Sequence, residues 1–336
     1  LPLFEALLER SWSLRHESPE EMVRAADLAR EVAERFDPKA FLEESVEDLQ
    51  CRAWIELGNA YRVADRFGDA ERALGQATDL FLSGTRDELL AARLFDVQAS
   101  LLGASRRFDL AATSLDLVFA IYRRRGDEHL AGRALISKGI YLGYQGEAEE
   151  AIGLMGQGLA LITEDRDPQL VYLAHHNQAR LLLDCGRPKE ALKALWKLKV
   201  RRLDVGGRVN ELKVRWLEGQ IYAGLNDLDR AEIALRTVQQ GFEEAGLVYK
   251  AALAGLELAA VLLRKNENRE AADRVVTSAS VFLSLGIARE ASASVLLLQK
   301  AFEKQKLELA LLEYVIGQLR RLELSESEPL EPPKVR

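Results

Sequence analysis

The segment Cys51-Arg-Ala-Trp54-Ile-Glu-Leu57-Gly58-Asn-Ala-Tyr61, followed after a short break by Gly68-Asp69-Ala70-Glu-Arg-Ala-Leu74, decides the fold. Two small residues, Gly58 and Ala70, stand twelve apart. Apolar residues flank each at helical spacing: Trp54, Leu57 and Tyr61 around the first, Leu74 and Ala77 around the second. The same pair recurs along the chain. Ala70, Ala111, Ala151, Ala191, Ala231 and Ala271 are separated by 41, 40, 40, 40 and 40 residues, and Gly58, Ala99, Gly139, Ala179, Gly219 and Ala259 precede them by twelve. Two antiparallel helices approach closely only where neither carries bulk at the crossing, so each pair of small residues marks one helical hairpin. A fixed period of this length is the mark of a repeat array, not of two independent domains.

The turns repeat as well. Inside each hairpin a residue tolerant of positive φ is required, and Gly146, Gly186, Asn226 and Asn266 supply it at 40-residue intervals, with Asp65 and Arg106 less suited. Between hairpins Gly84, Gly126, Gly206, Gly246 and Gly286 end the second helices. The repeat that lacks such a glycine breaks at Asp165-Arg166-Asp167-Pro168. No period-2 alternation interrupts the pattern, so the chain reads as all-α from Leu3 to about Leu322. Residues 1–41 read as a divergent N-terminal capping hairpin, with one helix around Phe4 to Leu14 and a second entered through Ser18-Pro19 and running to Phe36. Residues 42–286 form a six-hairpin array and 287–324 a C-terminal capping hairpin that carries Ala310. Residues 325–336, acidic and proline-containing, read as a disordered tail.

Composition agrees with a folded chain and narrows the partners. Hydrophobic residues make up 48% and charged residues 29%, enough apolar side chain for a large core. The net charge of -7 disfavours loose capture by phosphate backbones or anionic membranes. Cys51 and Cys185 sit in helical patterns without a Cys-x-x-Cys pair, which fits a reducing, cytoplasmic setting and offers no zinc site. The longest apolar stretch, Ala251 to Leu263, is broken by Glu257, so no membrane span is expected. The start Leu1-Pro2-Leu3-Phe4 has neither Met nor a signal segment, as expected of a fragment trimmed from a longer polypeptide with a domain upstream.

The run Trp54-x-x-Leu57-Gly58-x-x-Tyr61 with Ala70 and Leu74 resembles the tetratricopeptide repeat, and weaker copies carry the resemblance over about five sixths of the chain. The period is 40 instead of the usual 34, and Leu82 stands where a closing Pro often falls. Gly126-Asp127 through Gly132-Arg133-Ala134-Leu135 to Gly139 looks like the long-helix variety found in kinesin light chains, cortical polarity adaptors and bacterial regulator sensor domains. HEAT and armadillo solenoids share the period, but paired small residues twelve apart are more like tetratricopeptide hairpins. The resemblance implies a right-handed superhelical solenoid whose first helices line a concave groove and whose second helices form the outer face.

If Trp54, Leu57 and Tyr61 face the core, Arg52, Ile55, Asn59 and Arg62 lie on a face left free, which in tetratricopeptide domains lines the groove. The register carries Arg52 to Arg93, Arg133, Leu173, Lys213 and Leu253, so four of six are basic. Neighbouring groove positions add Asp96, Ser100, Ser137, His176, Asn177, Arg180, Trp216 and Gln220. Guanidinium forks grip carboxylates bidentately, so such a groove suits another protein or an acidic or C-terminal peptide segment. The resemblance adds that Asn59 stands where the repeat often holds a ligand's backbone. The alternative is that these cations pair with acids of adjacent helices.

Other features carry less. Lys193, Lys197, Lys199, Arg201 and Arg202 surround Trp196, but Leu192, Leu195 and Leu198 make that segment an ordinary amphipathic second helix, and nucleic acid is not expected as a partner. Arg123-Arg124-Arg125 complements a helix C-terminus. His175 and His176 are adjacent, so they cannot form a metal-binding i, i+4 pair; His16 and His129 are isolated. Gly153, Gly156 and Gly158 lack the strand and Lys-Ser or Lys-Thr of a phosphate loop and are expected to permit close helix packing. No cofactor, metal or catalytic motif is implied. The expected function is a non-enzymatic peptide-binding scaffold or adaptor, or alternatively the sensory part of a bacterial regulator whose effector lies upstream.

Overall fold

A computed structural model describes residues 1–15, 18–37, 39, 43–200, 207–284, 295 and 309–325. They form fifteen α-helices, and no strand occurs among the described residues. In chain order these are α1 (Pro2–Ser13), α2 (Pro19–Ala33), α3 (Glu43–Val63), α4 (Phe67–Ser83), α5 (Glu88–Ala104), α6 (Phe108–Arg125), α7 (Glu128–Gln145) and α8 (Ala148–Leu161). After a 3-10 turn at Glu164–Arg166 come α9 (Pro168–Asp184), α10 (Pro188–Val200), α11 (Gly207–Gly224), α12 (Leu228–Glu244), α13 (Val248–Arg264), α14 (Asn268–Ser284) and α15 (Leu309–Ser325). The second helix ends at Ala33, one turn before the expected Phe36.

Both small columns lie at helix crossings. Ala70, Ala111, Ala151, Ala191, Ala231 and Ala271 are each fully buried. A Cβ placed on Gly139 would stand 2.9 Å from the Ala151 carbonyl oxygen and 2.9 Å from Met155 Cγ, so the two columns touch. Gly58 and Gly219 face Leu74 and Leu235 of their partner helices as closely. Within the run Gly153, Gly156, Gly158 the packing expectation holds for Gly158, whose Cβ would fall 2.6 Å from Gly132 O. Gly153 faces open space.

The turn residues adopt the required conformation. Asp65, Arg106, Asn226 and Asn266 have φ of 57, 59, 62 and 63°, and Gly146 and Gly186 have φ of 93 and 71°. Between hairpins Gly126 and Gly246 are left-handed as well. Gly84 differs: it ends α4 with φ −76°, and Arg86 takes the left-handed position two residues later. The physical reason is local, since Gly84 and Thr85 lie against Asp48, whose carboxylate accepts from Thr85 N at 3.0 Å. Gly206 and Gly286 lie outside the described residues.

The chain divides into two compact units at the glycine-less break, the first running from Leu1 to Asp167 and the second beginning at Pro168. In the first unit each helix packs on its neighbours in sequence, and a row of small clusters forms the core, among them Phe4, Leu8, Ala29 and Ala53, then Cys51, Ile55, Leu74 and Leu101. In the second unit one larger cluster runs through α11 to α14 and takes in Leu312, Val315, Ile316 and Leu319 of α15. Fully burying a side chain of this size stabilises by roughly 1.5–3 kcal/mol, so α15 is held mainly by these four. Its expected marker Ala310 is exposed. The expected tail begins one residue too early, since Ser325 is still the last residue of α15; residues 326–336 and most of the C-terminal cap fall outside the described residues.

Candidate functional site

The face of α3 expected to be free is covered in the first unit. Ile55 is completely buried, and Asn59 and Arg62 retain 1% and 2% exposure. The cause is the next hairpin: Ile55 packs with Leu74 of α4 and with Leu94, Val97 and Leu101 of α5, and the Arg62 charge acts on Asp96 of α5, while Leu57 and Ala60, on another side of α3, share a cluster with Leu14 and Met22 of the N-terminal hairpin. Trp54 and Tyr61, expected in the core, are only partly buried, with Arg30 and Arg66 over their rings.

The three arginines of the column are bound to carboxylates of their own unit. Arg52 donates both terminal nitrogens to Glu5 on α1, at 2.7 and 2.9 Å. Arg93, 1% exposed, grips Glu56 through Nε at 2.7 Å and Nη2 at 2.6 Å, with Asp96 at 3.9 Å and the Trp12 ring beneath it at 5.8 Å. Arg133 pairs with Asp167. Arg62 donates Nε and Nη2 to Asn59 Oδ1 at 3.2 and 3.0 Å, so the amide oxygen is committed inside the fold. Asp96 is buried as well; its burial raises the carboxyl pKa, and the charges of Arg133, Arg93 and Arg62 oppose that rise. Ser100 and Ser137 are buried as well. The guanidinium forks that the sequence offers to a ligand are thus occupied by Glu5, Glu56 and Asp167.

The corresponding helices of the second unit are α9, α11 and α13. Asn177 is buried and donates to Leu173 O at 3.0 Å, a bond within its own helix. His176 is partly buried and stacks on Tyr172, ring centroids 6.0 Å apart. Burial pushes its imidazole down to about 4; Arg180 and Lys213 add to the effect and a backbone hydrogen bond at Lys213 opposes it. Arg180 donates to Asp184 at 3.1 Å on its own helix. Lys213 is exposed and makes no ion pair among the described residues, unlike the three arginines of the same column. Next to it Trp216 Nε1 and Gln220 Nε2 donate to Glu257 at 2.6 and 3.0 Å, and Arg320 of α15 closes on the same carboxylate at 2.8 Å. Trp216 and Gln220 are therefore structural donors to a buried acid.

The acid partners Glu5, Glu56, Asp167 and Glu257 are what the repeat reading missed. Asp167 carried a signal, because Asp87, Asp127 and Asp167 recur at 40-residue intervals before first helices. Asp87 and Asp127 cap α5 and α7 through their side chains. Arg123, Arg124 and Arg125 pair with Glu128, Glu88 and Asp87, beyond any effect on the end of α6. His129 accepts a hydrogen bond from Thr163 N at 3.1 Å, and His16 is outside the described residues. No group of three or more metal-ligating side chains occurs among the described residues, and none of their helices is long and apolar enough to cross a membrane.

No protein-family model matches the chain, and no curated protein matches it. Solved structures match in fold. A signal transduction ATPase with numerous domains that has a tetratricopeptide repeat sensor, from Pyrococcus horikoshii, is 16% identical with TM-score 0.61, over 83% of this chain and 42% of that one. A Rap protein solved in complex with competence and sporulation factor is 14% identical with TM-score 0.59, over 96% of this chain and 88% of that one. The quorum sensor NprR from B. thuringiensis, in its apo form, is 13% identical with TM-score 0.58, over 91% of this chain and 87% of that one. This chain thus has the tetratricopeptide-type α-solenoid fold, and it spans well under half the length of the ATPase.

Proposed function

We propose that the chain is a regulatory module that binds a peptide or protein segment on the first-helix face of its second unit and performs no catalysis itself. One observation carries the reading. In the first unit every arginine of the column is neutralised within the fold, whereas Lys213 on α11 stands exposed without a carboxylate, beside the His176 and Arg180 side chains of α9. A carboxylate brought to that place would meet the Lys213 ammonium, with no acid already paired to it and with Arg180, held by Asp184, close by, an arrangement that favours an acidic residue or a free C-terminus. The reading is supported by the likeness to a Rap protein solved in complex with competence and sporulation factor. The likeness to a sensor that forms part of a longer ATPase favours a second reading, in which the module reports to an effector domain.

The test is an array of short acidic peptides with free or amidated C-termini, followed by anisotropy titration of the best binder against the wild-type chain and Lys213→Glu. The reversal should weaken binding at least about tenfold with an unchanged melting temperature. Equal binding by a folded Lys213→Glu variant, or no binder in the array, would reject the assignment.

A further inference from the structure

The outer side of α10 carries a feature that neither the core nor the first-helix face uses. Ala191, Ala194, Leu195 and Leu198 form the buried stripe of this helix and meet its packing needs. Trp196 lies outside the stripe and keeps 55% of its surface exposed. The repeat supplies an internal control for that position. Five residues after each small alanine stand Gly75, Asp116, Gly156, Trp196, Arg236 and Val276. Around Gly75 an added Cβ would meet nothing within 4 Å, so the fold demands no bulk at this column. A large indole there is not explained by the architecture.

Its surroundings are mainly cationic. Lys189, Lys193 and Lys197 are exposed, spaced four residues apart and hence about 6 Å apart along the axis. None of the three forms an ion pair among the described residues, while the neighbouring Glu190 is engaged by Arg187 at 2.7 Å. On two other second helices charges are met within the fold, Arg72 by Asp69 on α4, and Asp229 and Glu232 of α12 by Lys265 at the end of α13. On a chain of net charge -7 an unpaired cationic row around an exposed Trp is a local departure.

We propose that this side of α10 is a docking surface for an acidic helical segment of a partner protein, with Trp196 as the apolar anchor and the three lysines as its charged rim. Trp is enriched among the residues that dominate interface energy, and rim charges steer association. A partner helix with carboxylates at i, i+4 and i+8 would present them at the lysines' own spacing. Single-stranded nucleic acid is a poorer fit, because it calls for successive aromatic platforms along a groove, and α10 offers one ring on an open face. A bilayer is poorer still, since Lys193 and Lys197 flank the ring and no further large apolar side chain among the described ones of α10 is exposed. The proposal is independent of the Lys213 reading, which concerns another face.

The test titrates a fluorescein-labelled synthetic helix, bearing Glu at i, i+4 and i+8 and one central Leu, against the full chain. Matched samples use the same helix with Lys for Glu, a thymidine oligonucleotide, and phosphatidylserine vesicles. The acidic helix should bind best, and Trp196→Ala and the Lys193→Glu/Lys197→Glu pair should each weaken it at least about tenfold. Added salt should weaken it too, and both variants should keep the wild-type melting temperature. If Trp196→Ala disturbs the fold, Trp196→Gln replaces it. Tighter binding of oligonucleotide or vesicle, no binding of the acidic helix, or unaltered binding by folded variants would overturn the proposal.

Discussion

The contact between the two small columns can be measured by making one substitution at two sites. Gly139→Ala and Gly75→Ala each place a methyl on a helix, in α7 and α4 of the same unit. The gain in helix propensity, about 1 kcal/mol, is common to both and cancels in the difference. At Gly75 the methyl meets nothing within 4 Å. At Gly139 it would stand 2.9 Å from the Ala151 carbonyl oxygen, 2.9 Å from Met155 Cγ and 3.3 Å from Met155 N. Two of those atoms are backbone, so relief requires α8 to move away from α7, and overpacking of this kind costs about 1–3 kcal/mol. Gly75→Ala should therefore be stabilising and Gly139→Ala less stable than it by about 1–3 kcal/mol, read from urea midpoints with an unchanged slope. A difference within about 0.5 kcal/mol would mean that the columns do not form the crossings, and the hairpin argument would fail.

Glu56→Gln leaves the buried Arg93 guanidinium without its fork and should cost about 3–5 kcal/mol in urea titrations, much of it recovered in Glu56→Gln/Arg93→Met; no recovery would refute the pairing as the cause. Reversing Arg52, Arg93 and Arg133 together to Glu should lower the melting temperature markedly, because Glu5, Glu56 and Asp167 would each face a like charge; an unaltered melt would contradict those pairs. His176, held near 4 mainly by burial, stays neutral while the unfolded chain takes up the proton below about 6.5. Stability is therefore complete above about pH 6.5 and falls between there and pH 4, and His176→Gln should flatten part of that decline in melting scans; identical slopes would argue against it. Asp87→Ala removes acceptors for Leu89 N and Leu90 N and should cost about 1 kcal/mol, checked by thermal melts against Asp79→Ala, an exposed acid within α4.

The parts of this structure that were legible in the sequence are those fixed by exclusion. Close helix crossing forbids side chains, so Ala70, Ala151 and Gly139 announce themselves by what they lack. Left-handed turns penalise most residues, so Gly146, Gly186, Asn226 and Asn266 are recognisable one by one. The site was less legible because ion pairing depends on the rotation of neighbouring helices. Arg93 meets Glu56 from 37 residues away and Arg52 meets Glu5 from 47, separations that do not follow the repeat period. A column of like charges in register could therefore be placed on a common face, but not distinguished from a row of internal counter-ions. Lys213 and Trp196 stand out only once their neighbours' partners are known.

Sequence-adjacent packing also sets how this chain would respond to tension. Among the described residues, helices touch chiefly their immediate neighbours in sequence, with α15 on α13 as an exception, so in the first unit no described contact joins its first helix to its last. Pulled from its termini, such a chain yields one hairpin at a time, each surrendering a 40-residue contour of roughly 130–145 Å. The molecule would act as a series of weak mechanical fuses with a saw-tooth force trace, and a single all-or-none rip in optical-tweezer records would rule that behaviour out.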